Sequence, residues 1–397
     1  TIPIISCGQD YDELWLKSDS LLNAGNKCCE IQNYEESIKL YSQAYEIADS
    51  LNFEDLREDI SFQIASAYNE MSSDVNNKEA IELYTIALDY IGSADLSNPD
   101  VVLTRDLLEF NLICAKANDA ADSAYVSGDF TEAIELTDSA LSLYGDIYGV
   151  SNEQYGQGLS IIANYLSENS DYEKAIEYEK KAAETALYVS GENSTDYAAS
   201  IRNIAVYYLS IGKFDETIEY AKRAAALYSD ILGNQSMEYA SALGILSNCY
   251  KNLGCYDTAL EYGEKAVGIL VNGNDEWSIN EYVYSLMDMY ACYLSQDNYI
   301  DALKFVTEAA DAQKYGFGKG NRTYIEALFG IAKCNKGLGQ FDAAREVLDE
   351  AVNLSAEVFG TSSFEYLESL YNLALLQDLI KDVDGLVETI KKVIDLV

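Results

Sequence analysis

An alanine recurs through this chain at Ala44, Ala87, Ala140, Ala182, Ala224, Ala266, Ala309 and Ala351, at intervals of 43, 53, 42, 42, 42, 43 and 42 residues. Seven residues ahead of each stands another small residue: Ser37, Ala80, Ala133, Ala175, Thr217, Ala259, Ala302 and Ala344. Two small residues a heptad apart lie near one face of a helix, where they let a neighbouring helix approach closely. A period this regular marks stacked units, each too small to bury its own apolar side.

Three further ladders keep the same register. An aromatic residue opens the small-residue helix at Tyr34, Phe130, Tyr172, Phe214, Tyr256, Tyr299 and Phe341, with Asn77 the exception. Tyrosines mark a preceding helix at Tyr155, Tyr197, Tyr239, Tyr282, Tyr324 and Tyr366. Glycines at Gly149, Gly191, Gly233, Gly318 and Gly360 sit where a chain leaving a helix needs positive φ; between residues 256 and 299 Glu276 breaks that ladder, with Gly273 nearby. Each unit therefore reads as two amphipathic helices and a short turn. Second helices are expected to begin near residues 34, 77, 130, 172, 214, 256, 299, 341 and 383. The long interval leaves extra residues at 93–106, including Pro99, which read as a hinge or a lengthened helix. At the ninth unit Val383, Leu386 and Val393 replace the aromatic and both small residues, as a terminal cap would.

Reading back from Phe214, Ile201, Ile204, Ala205, Tyr208 and Gly212, then Thr217 and Ala224, form an apolar, apolar, small, aromatic, glycine, small, alanine series. That series resembles the tetratricopeptide repeat. The 42-residue period is similar to the kinesin-light-chain type of this repeat, also found in bacterial arrays. At Gly191 to Ala198, however, the His and Pro of that type's Gly-x-x-His-Pro turn are absent. The resemblance covers about residues 34–380. It implies an all-α, right-handed solenoid of about nine helix-turn-helix repeats, formed by a single domain at 11–397 behind an unstructured end at 1–10.

Composition narrows the chemistry. The 397 residues carry 26 Lys plus Arg against 67 Asp plus Glu, a formal charge of −41, and no His. Such a chain repels phosphate backbones and acidic lipid surfaces, so no nucleic-acid partner and no membrane insertion are expected. Without His there is no Ser-His-Asp triad, no Cys-His dyad and no imidazole metal site within these residues. Acidic groups such as Glu54-Asp55 with Glu58-Asp59 read as a solvated face, because no DxDxDG loop accompanies them. The glycines Gly316, Gly318 and Gly320 fall at a repeat boundary and do not form a GxxxxGK[ST] phosphate loop. No catalytic residue, cofactor or metal is therefore expected.

Eight scattered cysteines without a CxxC spacing read as buried, reduced thiols, which favours the cytoplasm. Ile4, Ile5, Ser6 and Cys7 offer the alternative of an exported bacterial lipoprotein anchored through Cys7.

The phasing singles out one stripe. Counting each ladder tyrosine of the first helix as zero, positions 4, 7, 8 and 11 face the core and leave 5, 9 and 12 as a separate line. By the resemblance that line faces the concave groove. Across the last six units it holds four Lys or Arg, where 26 in 397 would place about one, and one acidic residue, where 67 in 397 would place three. A neutral-to-basic groove inside an acidic exterior suits a peptide. Asn164 and Asn248 would bond its amides, Arg202, Lys251, Lys333 and Lys336 its carboxylates, and Phe329 and Tyr371 would anchor apolar side chains. The expected function is a non-enzymatic interaction scaffold or adaptor that binds a protein or peptide partner. The alternative is an N-terminal sensor or regulatory arm of a larger enzyme, such as a caspase-like protease or a kinase.

Overall fold

A computed structural model describes residues 9–72, 75–92 and 98–394, with side chains from residue 13 onward. The described residues form eighteen α-helices and no strand. They divide into two compact units at Val189/Ser190. The first holds α1 (Gln9–Glu30), α2 (Tyr34–Ser50), α3 (Glu54–Met71), α4 (Asn77–Ile91), α5 (Pro99–Ser127), α6 (Thr131–Tyr148), α7 (Glu153–Glu168) and α8 (Tyr172–Ser190). The second holds α9 (Thr195–Ser210), α10 (Phe214–Ile231), α11 (Met237–Asn252), α12 (Tyr256–Leu270), α13 (Glu276–Ser295), α14 (Tyr299–Phe317), α15 (Arg322–Gly337), α16 (Phe341–Val358), α17 (Phe364–Ile380) and α18 (Val383–Ile394). Each unit is an α-solenoid segment built of helix hairpins.

The small-residue ladders explain the stacking. All sixteen members, from Ser37 and Ala44 to Ala344 and Ala351, are buried. Within the second unit every helix packs on the next, and first helices also touch the first helix of the following hairpin, as α9 does α11, α11 does α13 and α15 does α17. Aromatic pairs close the hairpins: Tyr208 packs on Tyr220, Tyr250 stacks on Tyr262, and Tyr293 stacks on Phe305, with centroids 5.5, 5.6 and 5.5 Å apart. Four of the ladder tyrosines, Tyr197, Tyr282, Tyr324 and Tyr366, are buried as packing residues.

Local signals set the helix ends. Asn152, Ser194, Ser236, Asn321 and Ser363 each accept a hydrogen bond from the backbone N–H of the ladder tyrosine three residues on, which satisfies an otherwise unpaired helix donor. Asp275 caps α13 through Ser278 instead, so α13 starts earlier and runs to 20 residues. In the hairpins closed by α8, α10, α12, α14 and α16 the turn uses one left-handed residue two places before the second helix. Gly212, Gly254 and Gly339 fill it at φ 72, 75 and 73°, whereas Ser170 and Asp297 do so at 62 and 56°.

Asn98 caps α5, with Pro99 at its first position, and the helix reaches 29 residues. Of the segment 93–106, residues 99–106 are thus the first two turns of α5, while 93–97 lie outside the described residues. Helix α1 opens at Gln9, inside the stretch 1–10 expected to lack structure; residues 1–8, Cys7 included, lie outside the described residues. Cys249, Cys292 and Cys334 occupy the same place in α11, α13 and α15 and are buried, as expected of small hydrophobes, but Cys255 is exposed. Among the described residues no helix is long and apolar enough to cross a membrane.

Candidate functional site

The stripe residues of the second unit fall into two groups with different chemistry. In the first, the polar atoms are already engaged. The Arg202 guanidinium on α9 donates from Nε to Ser241 Oγ on α11 at 2.8 Å, from Nη1 to Asn203 Oδ1 at 3.2 Å, and from Nη2 to Glu281 Oε1 on α13 at 3.2 Å. It also lies 5.9 Å from the centroid of Trp277. On α11, Lys251 Nζ and Asn248 Nδ2 converge on Asp288 Oδ1 of α13, at 2.6 and 3.0 Å. The Asn248 side-chain Oδ1 accepts from Asn252 Nδ2 at 2.7 Å.

These contacts join α9 and α11 to α13. Burial pushes the Asp288 carboxyl above the ordinary carboxylate range, and the Lys251 charge with the two donors opposes that shift. A buried carboxylate so placed needs its partners, so Lys251 and Asn248 are occupied holding Asp288. Arg202, likewise, is only about one-fifth exposed along with Glu281. Sequence periodicity set these side chains in one stripe but carried no signal for the acids that neutralise them. The one available clue was Asp288 itself, a charge inside the apolar run from Val283 to Met289.

The second group remains open. Lys333 is exposed and Lys336 half-buried, one turn apart on α15, and among the described residues neither has a carboxylate within ion-pair distance. They line a groove of about 770 Å³ together with Leu294 of α13, Leu375 and Asp378 of α17, and Leu379. Leu294, Lys333, Lys336, Leu375 and Asp378 all belong to the sequence stripe. Lys381, the left-handed residue that ends α17 at φ 63°, also borders the groove and was not singled out by phasing, because it sits in the turn.

The groove's acids have local partners: Asp297 accepts from Tyr299 Oη at 3.0 Å, and Asp378 lies 3.7 Å from Lys381 Nζ. Two anchors were expected nearby. Tyr371, one turn before Leu375 on α17, is exposed; Phe329 is half-buried and packs against two core clusters, so it offers little free surface.

Asn164 belongs to the first unit. It is exposed on α7 and lines a cavity of about 630 Å³ with Phe110, Tyr144 and Tyr165. Among the described residues no charged side chain lines that cavity.

Two models of the tetratricopeptide repeat match the chain, over residues 196–270 and 325–357. Among solved structures, aspartyl phosphate phosphatase F from Bacillus subtilis aligns with a TM-score of 0.54 at 11% identity, covering 99% of this chain and 96% of its own. A signal-transduction ATPase with numerous domains and a tetratricopeptide-repeat sensor, from Pyrococcus horikoshii, aligns with a TM-score of 0.53 at 15% identity, covering 81% of this chain and 47% of its own. A Podosopora anserina putative kinesin light chain with nearly identical TPR-like repeats aligns at a TM-score of 0.44 and 15% identity, covering 52% and 96%. No curated protein matches the sequence. At these identities the structural likeness is one of fold. The matched repeats and the stack of helix hairpins make the chain a tetratricopeptide-repeat array, an architecture used in general as a non-catalytic scaffold for protein interaction.

Proposed function

We propose that the second unit binds a peptide segment in the groove between α13, α15 and α17, and that the ligand carries an acidic group beside an apolar side chain. The observation that supports this reading is the pair Lys333 and Lys336: two lysines without an ion-pair partner among the described residues, in a chain of net charge −41, beside exposed leucines. Unpaired cations in such a field favour an incoming carboxylate, and they do so without first breaking an internal contact. Leu375 and Leu379, each about half exposed, supply apolar surface that a ligand side chain would cover, and Tyr371 extends it by one turn. Arg202, Asn248 and Lys251 hold the first helices in register and do not serve as ligand contacts in this account.

The experiment is a selection of peptides on the wild-type chain, followed by affinity measurement on Lys333→Glu/Lys336→Glu. Each rim ion pair contributes about 0.5–1 kcal/mol and its reversal adds repulsion, so the double variant should bind about tenfold or more weakly with unchanged helicity. Equal affinity in the double variant would remove the groove assignment.

A further inference from the structure

Helix α18 turns one apolar side towards its own hairpin and leaves another uncovered. Thr389 is buried and Val393 packs against the last core cluster, whereas Val383, Val387, Ile390 and Ile394 are 65, 46, 44 and 66% exposed. The four exposed residues are spaced by four, three and four. That is the spacing of a coiled-coil seam, which packs against a second helix. Two charges flank the seam: Asp384 follows Val383 and Lys391 follows Ile390, so both lie on the same side, one heptad apart. Both are exposed, and among the described residues neither has an ion-pair partner, while their neighbour Lys392 is paired with Glu388.

We propose that this seam is an isologous interface between two copies of the chain, with the two α18 helices antiparallel about a two-fold axis. With Val387 set against the partner's Ile390 and Val383 against the partner's Ile394, Asp384 of each copy lies across from Lys391 of the other. Both otherwise unpaired charges are then matched twice by symmetry. A parallel arrangement sets this flank against the opposite one, where Leu386 and Val393 stand, and matches no charges. The self-complementary pattern therefore selects a second copy in one orientation. Two twelve-residue helices cover less than the roughly 1,200 Å² at the low end of stable interfaces, so the dimer is weak, with Kd on the order of tens of micromolar.

Sedimentation equilibrium of the chain of residues 1–397, over about 1–300 μM, tests this at concentrations bracketing the expected Kd. The wild type is expected to pass from monomer to dimer. Val387→Glu/Ile390→Glu should stay monomeric with unchanged circular dichroism, since both sites are exposed. Asp384→Lys and Lys391→Asp should each weaken association by about tenfold, and the double exchange Asp384→Lys/Lys391→Asp should restore it. A wild type that remains monomeric throughout overturns the proposal, as does a dimer indifferent to Val387→Glu/Ile390→Glu or a charge exchange that fails to rescue. Lys333→Glu/Lys336→Glu should dimerise like the wild type, which separates this interface from the peptide groove.

Discussion

Lys251 Nζ, on α11, donates a 2.6 Å hydrogen bond to Asp288 Oδ1, on α13, and the carboxylate it meets is almost wholly buried. The pair joins the first helices of successive hairpins, so its loss acts on the array and not on one helix.

Lys251→Met should therefore cost about 2–3 kcal/mol in urea unfolding, because it leaves Asp288 in the interior without its counter-charge. The pH dependence has a definite sign. Burial already raises the folded Asp288 carboxyl above its unfolded value, and removing Lys251 raises it further. A group with a raised folded pKa is tolerated below its unfolded pKa and penalises folding as pH rises through the folded one. The variant should thus recover stability relative to wild type on acidification from neutral pH, and Lys251→Met/Asp288→Asn should recover most of it at pH 7.

The hairpin turns predict opposite effects for two substitutions at equivalent places. Ser170 holds φ 62° at a position where Gly212 holds 72°. Ser170→Gly should stabilise by about 0.5–1 kcal/mol and Gly212→Ala should destabilise by about 1 kcal/mol, read as shifts of the urea midpoint at constant slope.

Thiol chemistry should separate the cysteines by burial. Burial pushes Cys249, Cys292 and Cys334 up to about 11, so at pH 8 only about one in a thousand of each is thiolate, and each is screened from reagent as well. Cys255 is exposed. Mass spectrometry after brief treatment with N-ethylmaleimide should find Cys255 modified and the other three intact until denaturant is added.

The repeat was legible because its physics is local and recurs: small residues a heptad apart have only one use when eight helices share them, and Ala44 and Ala351 report the same burial. The groove line was legible in part for the same reason, since Leu294, Lys333, Lys336, Leu375 and Asp378 come together as their phase requires. What phasing could not carry is pairing between hairpins. Arg202 and Lys251 share the stripe with Lys333, yet Glu281 and Asp288 neutralise the first two from residues 79 and 37 positions away. The early start of α13, where the glycine ladder breaks at Glu276, alters that hairpin relative to its neighbours. Lys381 escaped notice because turn residues lie outside any helical period.

The open lysines carry the proposed binding, and the most direct measurement is the affinity of groove-selected peptides for three forms of the chain. Fluorescence anisotropy should give a common Kd for wild type and for the exposed control Lys222→Glu, and a Kd about tenfold or more higher for Lys333→Glu/Lys336→Glu. Peptides that bind all three forms alike, or that lack acidic groups altogether, would contradict it.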